Sequence, residues 1–146
     1  MTQSATFCLI SAGAFFLVGL LSGIWKYACI YRSPDATAPF YVDTAHRASL
    51  LYAFACALTG ELCGRSAWPD RTNLVAAIVL IAFFALAVLG YLVHGALNDT
   101  DNQLRRPHKL GRGTVAPASV LAFMIALIVA EVGGFAVIFA GFLVAL

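Results

Sequence analysis

The residues best suited to chemistry are His46, Tyr91 and His94. His46 stands in Asp43-Thr44-Ala45-His46-Arg47, at the mouth of an apolar run that begins at Ala48. A neutral imidazole is a good ligand for haem iron, and one proximal histidine leaves the opposite iron face open for chemistry. Tyr91 and His94 are three apart, so on a helix they share a face. Two histidines on one iron would favour electron transfer instead. A zinc or non-haem iron site wants a further carboxylate or histidine, and only Asp43 is near. Each residue also has a plainer reading. A histidine at a helix end serves as an interfacial hydrogen-bonder, and Tyr91 and Tyr27 fall where an aromatic belt is expected. His108, between Pro107 and Lys109, reads as a solvated loop residue.

The elements that position these residues follow from composition. The chain has 146 residues, 62% hydrophobic and 11% charged. A soluble domain carries about 25% charged residues, so an ordinary soluble domain is excluded. The formal net charge of +2 is too small for a nucleic-acid binder. Cys8, Cys29, Cys56 and Cys63 lie in or beside apolar runs without Cys-x-x-Cys spacing, and read as small buried hydrophobes. No phosphate loop, Gly-x-Gly-x-x-Gly or Ser-His-Asp spacing is present. The first apolar run has no basic residue before it and no clear small-x-small cleavage site, which disfavours a cleaved signal peptide.

A spanning helix needs about 20 mostly apolar residues. Four are expected, at Thr6–Ile30, His46–Gly64, Asn73–Leu97 and Val115–Leu146. The second is the shortest and most polar; the fourth exceeds one crossing and must tilt or project. The expected fold is all-α, one integral membrane four-helix bundle. Seven of the nine Lys/Arg belong to the first and third connections (Lys26, Arg32, Arg47, Arg105, Arg106, Lys109, Arg112) and two to the second (Arg65, Arg71). The positive-inside rule then places the first and third connections in the cytoplasm and both termini outside.

That side collects Trp25, Tyr41, His46, Tyr91, His94 and His108. Gly19-x-x-x-Gly23 and the stripe Ala122, Ala126, Ala130, Gly134 read as close-packing surfaces, within the bundle or between subunits. Glu61 and Glu131 are carboxylates inside apolar runs, which marks each as a candidate for function. Glu61 is near enough to a helix end to reach the interface.

The layout resembles the styrene oxide isomerase family, small four-helix membrane enzymes, over residues 15–146. The likeness rests on Gly23-Ile24-Trp25, on Ala45-His46 opening the second helix, on the turn Pro69-Asp70-Arg71-Thr72, on Tyr91-Leu92, and on a Pro/Gly/Arg-rich third connection. The separations from His46 to Asp70 and from Asp70 to Tyr91 match without a gap. The resemblance implies haem b bound between the subunits of a homotrimer, with His46 as axial ligand. It also implies ferric iron acting as a Lewis acid that converts a lipophilic epoxide to an aldehyde. Tyr91 becomes a catalytic pocket phenol and Trp25 a further cofactor contact; His94 differs from the family and is a candidate second axial contact to the cofactor. Phe83 and Ala87 depart from the family, which has polar residues there, as does Tyr52. A non-catalytic or electron-carrying haem subunit is therefore the second expectation. A glutathione- or eicosanoid-type trimeric enzyme ranks below both, because no Arg-rich motif surrounds His46.

Overall fold

The computed structural model describes residues 1–146. Four helices, α1 (Gln3–Arg32), α2 (Phe40–Gly64), α3 (Asp70–Leu97) and α4 (Pro117–Val144), are joined by short connections; a small antiparallel hairpin, β1 (His108–Leu110) with β2 (Gly113–Val115), sits between α3 and α4. Prolines set three of the helix starts. Pro39 caps α2, Pro69 caps α3, and Pro117 opens α4, where a missing N–H costs nothing. α3 stops at Asn98, whose left-handed backbone (φ 46°) returns its N–H to the His94 carbonyl, a common helix ending.

α1, α3 and α4 are long and apolar enough to cross a membrane. α2 falls short of them, because Asp43, His46, Arg47 and Glu61 lie along it. Of the four expected spans, three have the length and apolar character to cross a membrane; α2, expected to be the most polar, does not reach it. α2 also begins at Phe40 rather than His46, which brings Tyr41 and Asp43 into the helix. The third connection carries the hairpin where only loop was expected, closed by Gly111 at φ +60°.

The core lies where α1, α2 and α3 meet, around Cys8, Phe15, Cys56, Ala77 and Leu80, with Ile138 of α4 inserted. The outside is apolar as well: Ile10, Leu51, Val129 and Val132 are each at least 66% exposed. An apolar surface so continuous needs lipid or another chain to cover it.

Close approach is achieved through glycine. Gly19 faces Leu50 and Gly23 faces His46 across the α1–α2 seam, while Gly134 lies against Ala76 and Leu80 of α3. Both motifs thus pack within the bundle. In the α4 stripe, Ala130 and Gly134 are buried but Ala122 and Ala126 are exposed. α4 seats its Ala130 and Gly134 on α3, while its first turns meet α3 through Phe123, which stacks on Phe83. Gly141 lets Trp68 lie on α4, where its indole N–H donates to the Val137 carbonyl at 2.9 Å.

The two ends of the bundle are tied differently. At one, Asp70 accepts from the backbone N–H groups of Gln3 (2.9 Å) and Ser4 (3.1 Å) and from the Ser4 hydroxyl. One carboxylate at the start of α3 thereby satisfies the free N–H groups at the start of α1. At the other end, the Tyr41 hydroxyl accepts from the Gln103 N–H at 2.6 Å, joining the start of α2 to the third connection.

Candidate functional site

His46 is half-buried on α2 and turned against α1. Its Nδ1 lies 2.8 Å from the Gly19 carbonyl. A carbonyl only accepts, so Nδ1 carries the proton and donates, which in the neutral ring leaves the lone pair on Nε2. The ring rests over Gly23: a Cβ built there would stand 2.9 Å from Cε1 and 3.0 Å from Nδ1. The Gly19-x-x-x-Gly23 pair thus has two duties at this histidine, a carbonyl that fixes the tautomer and a gap that receives the ring. Beside it, Asp43 pairs with Lys26 across the α1–α2 seam at 2.5 Å and with Arg47 at 3.5 Å.

His94 belongs to a second set of contacts. It is buried near the end of α3, with Nδ1 2.8 Å from the Asp99 carboxylate. The other Asp99 oxygen accepts from the Gly111 N–H at 2.5 Å. Burial pushes the Asp99 carboxyl up, but the hydrogen bonds from His94 and Gly111 outweigh it and hold the group below its usual range. Asp99 was not singled out from sequence. The available signal is its place just after Asn98, the residue that turns the chain back at the end of α3.

Tyr41 is the hub between these residues. Its ring stacks on Tyr91 (centroids 5.9 Å, 17° between planes) and lies 5.2 Å from the His94 ring. Tyr91 is half-buried, its hydroxyl makes no hydrogen bond within the chain, and it lines a cleft with Tyr41, Thr44 and Gln103. Trp25 packs the edge of its six-membered ring over Gly95, one residue after His94, beside Val42. The structure therefore gathers Tyr41, Tyr91, His94 and Trp25 around one end of α3. His46 has its own niche against α1.

His108 corrects an expectation. It is buried, 6% exposed, with Nδ1 3.2 Å from the Gln103 carbonyl, because the hairpin folds back over the ends of α3 and α4. Glu61 pairs with Arg65 at the helix end, as its reach suggested. Glu131 lines an apolar cleft with Thr59, Leu80 and Phe84 and leaves one buried oxygen without a partner. Ala87 is buried, Phe83 stacks on Phe123 (6.3 Å), and Tyr52 stacks on Phe84 (4.1 Å).

His, Cys, Asp and Glu nowhere converge in a group of three or more that would hold a metal ion. No protein family, curated protein or solved structure matches this chain.

Proposed function

We propose that this chain is a haem-b-binding integral membrane protein of the styrene oxide isomerase kind, with His46 as the iron ligand and a lipophilic epoxide as substrate. The observation that carries the reading is the hydrogen bond from His46 Nδ1 to the Gly19 carbonyl. A metal-binding imidazole characteristically donates its other ring N–H to a carbonyl or carboxylate, which fixes the tautomer and raises the basicity of the ligating nitrogen. The gap at Gly23 is shaped to hold the ring in that pose.

Ferric haem held there by His46 would supply Lewis acidity toward an epoxide oxygen, the chemistry that gives the isomeric carbonyl compound. The chain's own residues bind and orient. Gly19 and Gly23 fix the ring of His46. Tyr91 has a hydroxyl free to donate to a substrate oxygen, and stacking on Tyr41 sets its angle. Trp25 over Gly95 holds α1 against α3 at the same level, and His94 is the further histidine nearest that cluster. The apolar exterior admits substrate from lipid and keeps out the water that would hydrolyse it. That exterior also leaves faces for further copies of the chain, a homotrimer by resemblance. The reading places the protein in the cell inner membrane, with α2 as a fourth crossing, both termini outside and the Lys/Arg-rich first and third connections in the cytoplasm.

Phe83 and Ala87, apolar where the family is polar, and Tyr52, stacked on Phe84, favour a second reading, a haem protein without epoxide chemistry, such as an electron carrier or a subunit of a larger complex. One preparation tests both. The purified protein should show a Soret band, and His46→Ala should lose it while His108→Gln keeps it. Full haem in His46→Ala sinks the first assignment. Carbon monoxide binding to the reduced protein, together with turnover of styrene oxide, supports the isomerase. A spectrum unmoved by carbon monoxide supports two protein ligands and electron transfer.

A further inference from the structure

Glu131 lies halfway along α4, about 20 Å from either end at about 1.5 Å per residue. It lines a cleft of about 450 Å³, walled by α2 and α4 and floored by α3. The floor is Leu80 and Phe84, both buried; Leu58 and Val132 at the rims are more than half exposed, so the cleft opens sideways to lipid. No Lys, Arg or His lines it, and no ion pair of the chain includes Glu131. The one hydroxyl in the lining, that of Thr59, donates to the Ala55 carbonyl at 2.7 Å and gives the carboxyl nothing. Glu131 Oε1 is buried without a hydrogen-bond partner. Such a group is costly, the more so when it is ionisable and far from both membrane surfaces. The chain gives this carboxyl neither a donor nor a counter-charge, so both are left for a ligand to bring. A second copy of the chain cannot bring the charge to this depth. Every Lys and Arg lies in a connection or within about two turns of a helix end.

We propose that this cleft binds a lipophilic amine drawn from the bilayer. An unpaired ion is costly at this depth, so the amine arrives as the neutral base and meets a neutral carboxyl. Its lone pair takes the carboxyl proton. The O–H bond breaks, an N–H bond forms, and ammonium and carboxylate remain as a hydrogen-bonded pair of zero net charge. No further reactant is needed. A charge-assisted hydrogen bond is about twice as strong as a neutral one, which selects the amine over an alcohol of the same shape. The tail lies on Leu80, Phe84 and the parallel rings of Phe135 and Phe139 (5.7 Å). Phenyl rings also attract a cation. The site shares no residue with the His46 niche or the Tyr91 cleft, so it stands whether or not His46 holds haem.

The test uses the full chain in phosphatidylcholine nanodiscs, with phenethylamine as the probe and phenethyl alcohol as its neutral match. The amine should bind saturably, one per protomer above empty discs. As it binds, the infrared band of a protonated carboxyl should give way to carboxylate bands. Glu131→Gln keeps the shape, removes that band and should weaken binding at least about tenfold, the scale of one charge-assisted hydrogen bond. Ala136→Trp should fill the cleft and abolish binding while the carboxyl band stays. An unchanged α-helical spectrum and melting temperature check that each variant is folded. The infrared band belongs to Glu131, so an amine that instead ligates haem iron leaves it unmoved. A band unmoved by the amine, undiminished binding in Glu131→Gln or in folded Ala136→Trp, or the alcohol matching the amine overturns the proposal. A changed subunit number in Glu131→Gln, with no amine bound by the unaltered chain, assigns the carboxyl to a contact between copies and overturns it as well.

Discussion

Replacing Gly23 with alanine tests the geometry at His46 directly. The added methyl would lie 2.9 Å from Cε1 and 3.0 Å from Nδ1, whereas ordinary contact begins at 3.4 Å. The ring must retreat from α1 by about half an ångström. Gly19 is on the same helix, so that retreat lengthens the 2.8 Å bond to its carbonyl beyond the normal range of about 2.7–3.2 Å. Overpacking costs about 1–3 kcal/mol and the lost hydrogen bond about 1 kcal/mol. Better helix propensity returns about 1 kcal/mol. The net is a loss of about 1–3 kcal/mol. Loss of an orienting partner typically lowers metal affinity about 10- to 100-fold, so haem affinity should fall by that factor. The control is Gly13→Ala on the same helix, where a Cβ meets nothing within 4 Å; it should gain up to about 1 kcal/mol. Thermal melts in detergent followed by helical ellipticity read the stability, and a Soret titration reads the affinity. If Gly23→Ala melts with Gly13→Ala, the ring does not press on α1 and the reasoning fails. If the melt falls but haem affinity holds, the niche is real and the ligand assignment is wrong.

Two further substitutions separate other parts of the fold. Gly141→Ala drives a methyl into Ser66 and Trp68 and should break the indole bond to Val137, destabilising by about 1–3 kcal/mol; a shift in Trp68 emission relative to Gly133→Ala checks it. Asp99 has a lowered folded pKa, so its contribution is present above its unfolded pKa and is lost as pH falls through the folded value. Amide exchange at Gly111 should therefore be protected at neutral pH and accelerate in acid, and Asp99→Asn should exchange faster with that acid step removed.

The helical architecture was legible because hydropathy is a long-range average: three apolar runs of the right length survive errors at single residues. α2 was read too short because its first turns are polar. Pro39 is the local signal that the helix starts there. Pairing of Asp43 with Lys26 and Arg47 makes a charged helix start tolerable beside apolar neighbours. The site was legible in part. Spacing alone put Tyr91 and His94 on one face, but the tyrosine hub at position 41 depends on a helix that starts six residues earlier than expected. The burial of His108 was not legible, since a three-residue strand pair carries almost no pattern of its own. Asp99 was missed for a similar reason. Its partnership with His94 exists only once Asn98 has reversed the chain.

α2 is the helix that lipid holds least, and the one α1 holds most closely. Gly19 and Gly23 admit Leu50 and His46 on one side of the seam, and Gly60 rests on Cys8 and Ala5 further along. By length and composition α2 is not among the helices apolar enough to cross a membrane, and its place in the bundle rests on the glycine face of α1. The hydrogen bond that orients the His46 imidazole therefore belongs to the α1–α2 pair and not to α2 alone, since its acceptor is the Gly19 carbonyl of the other helix.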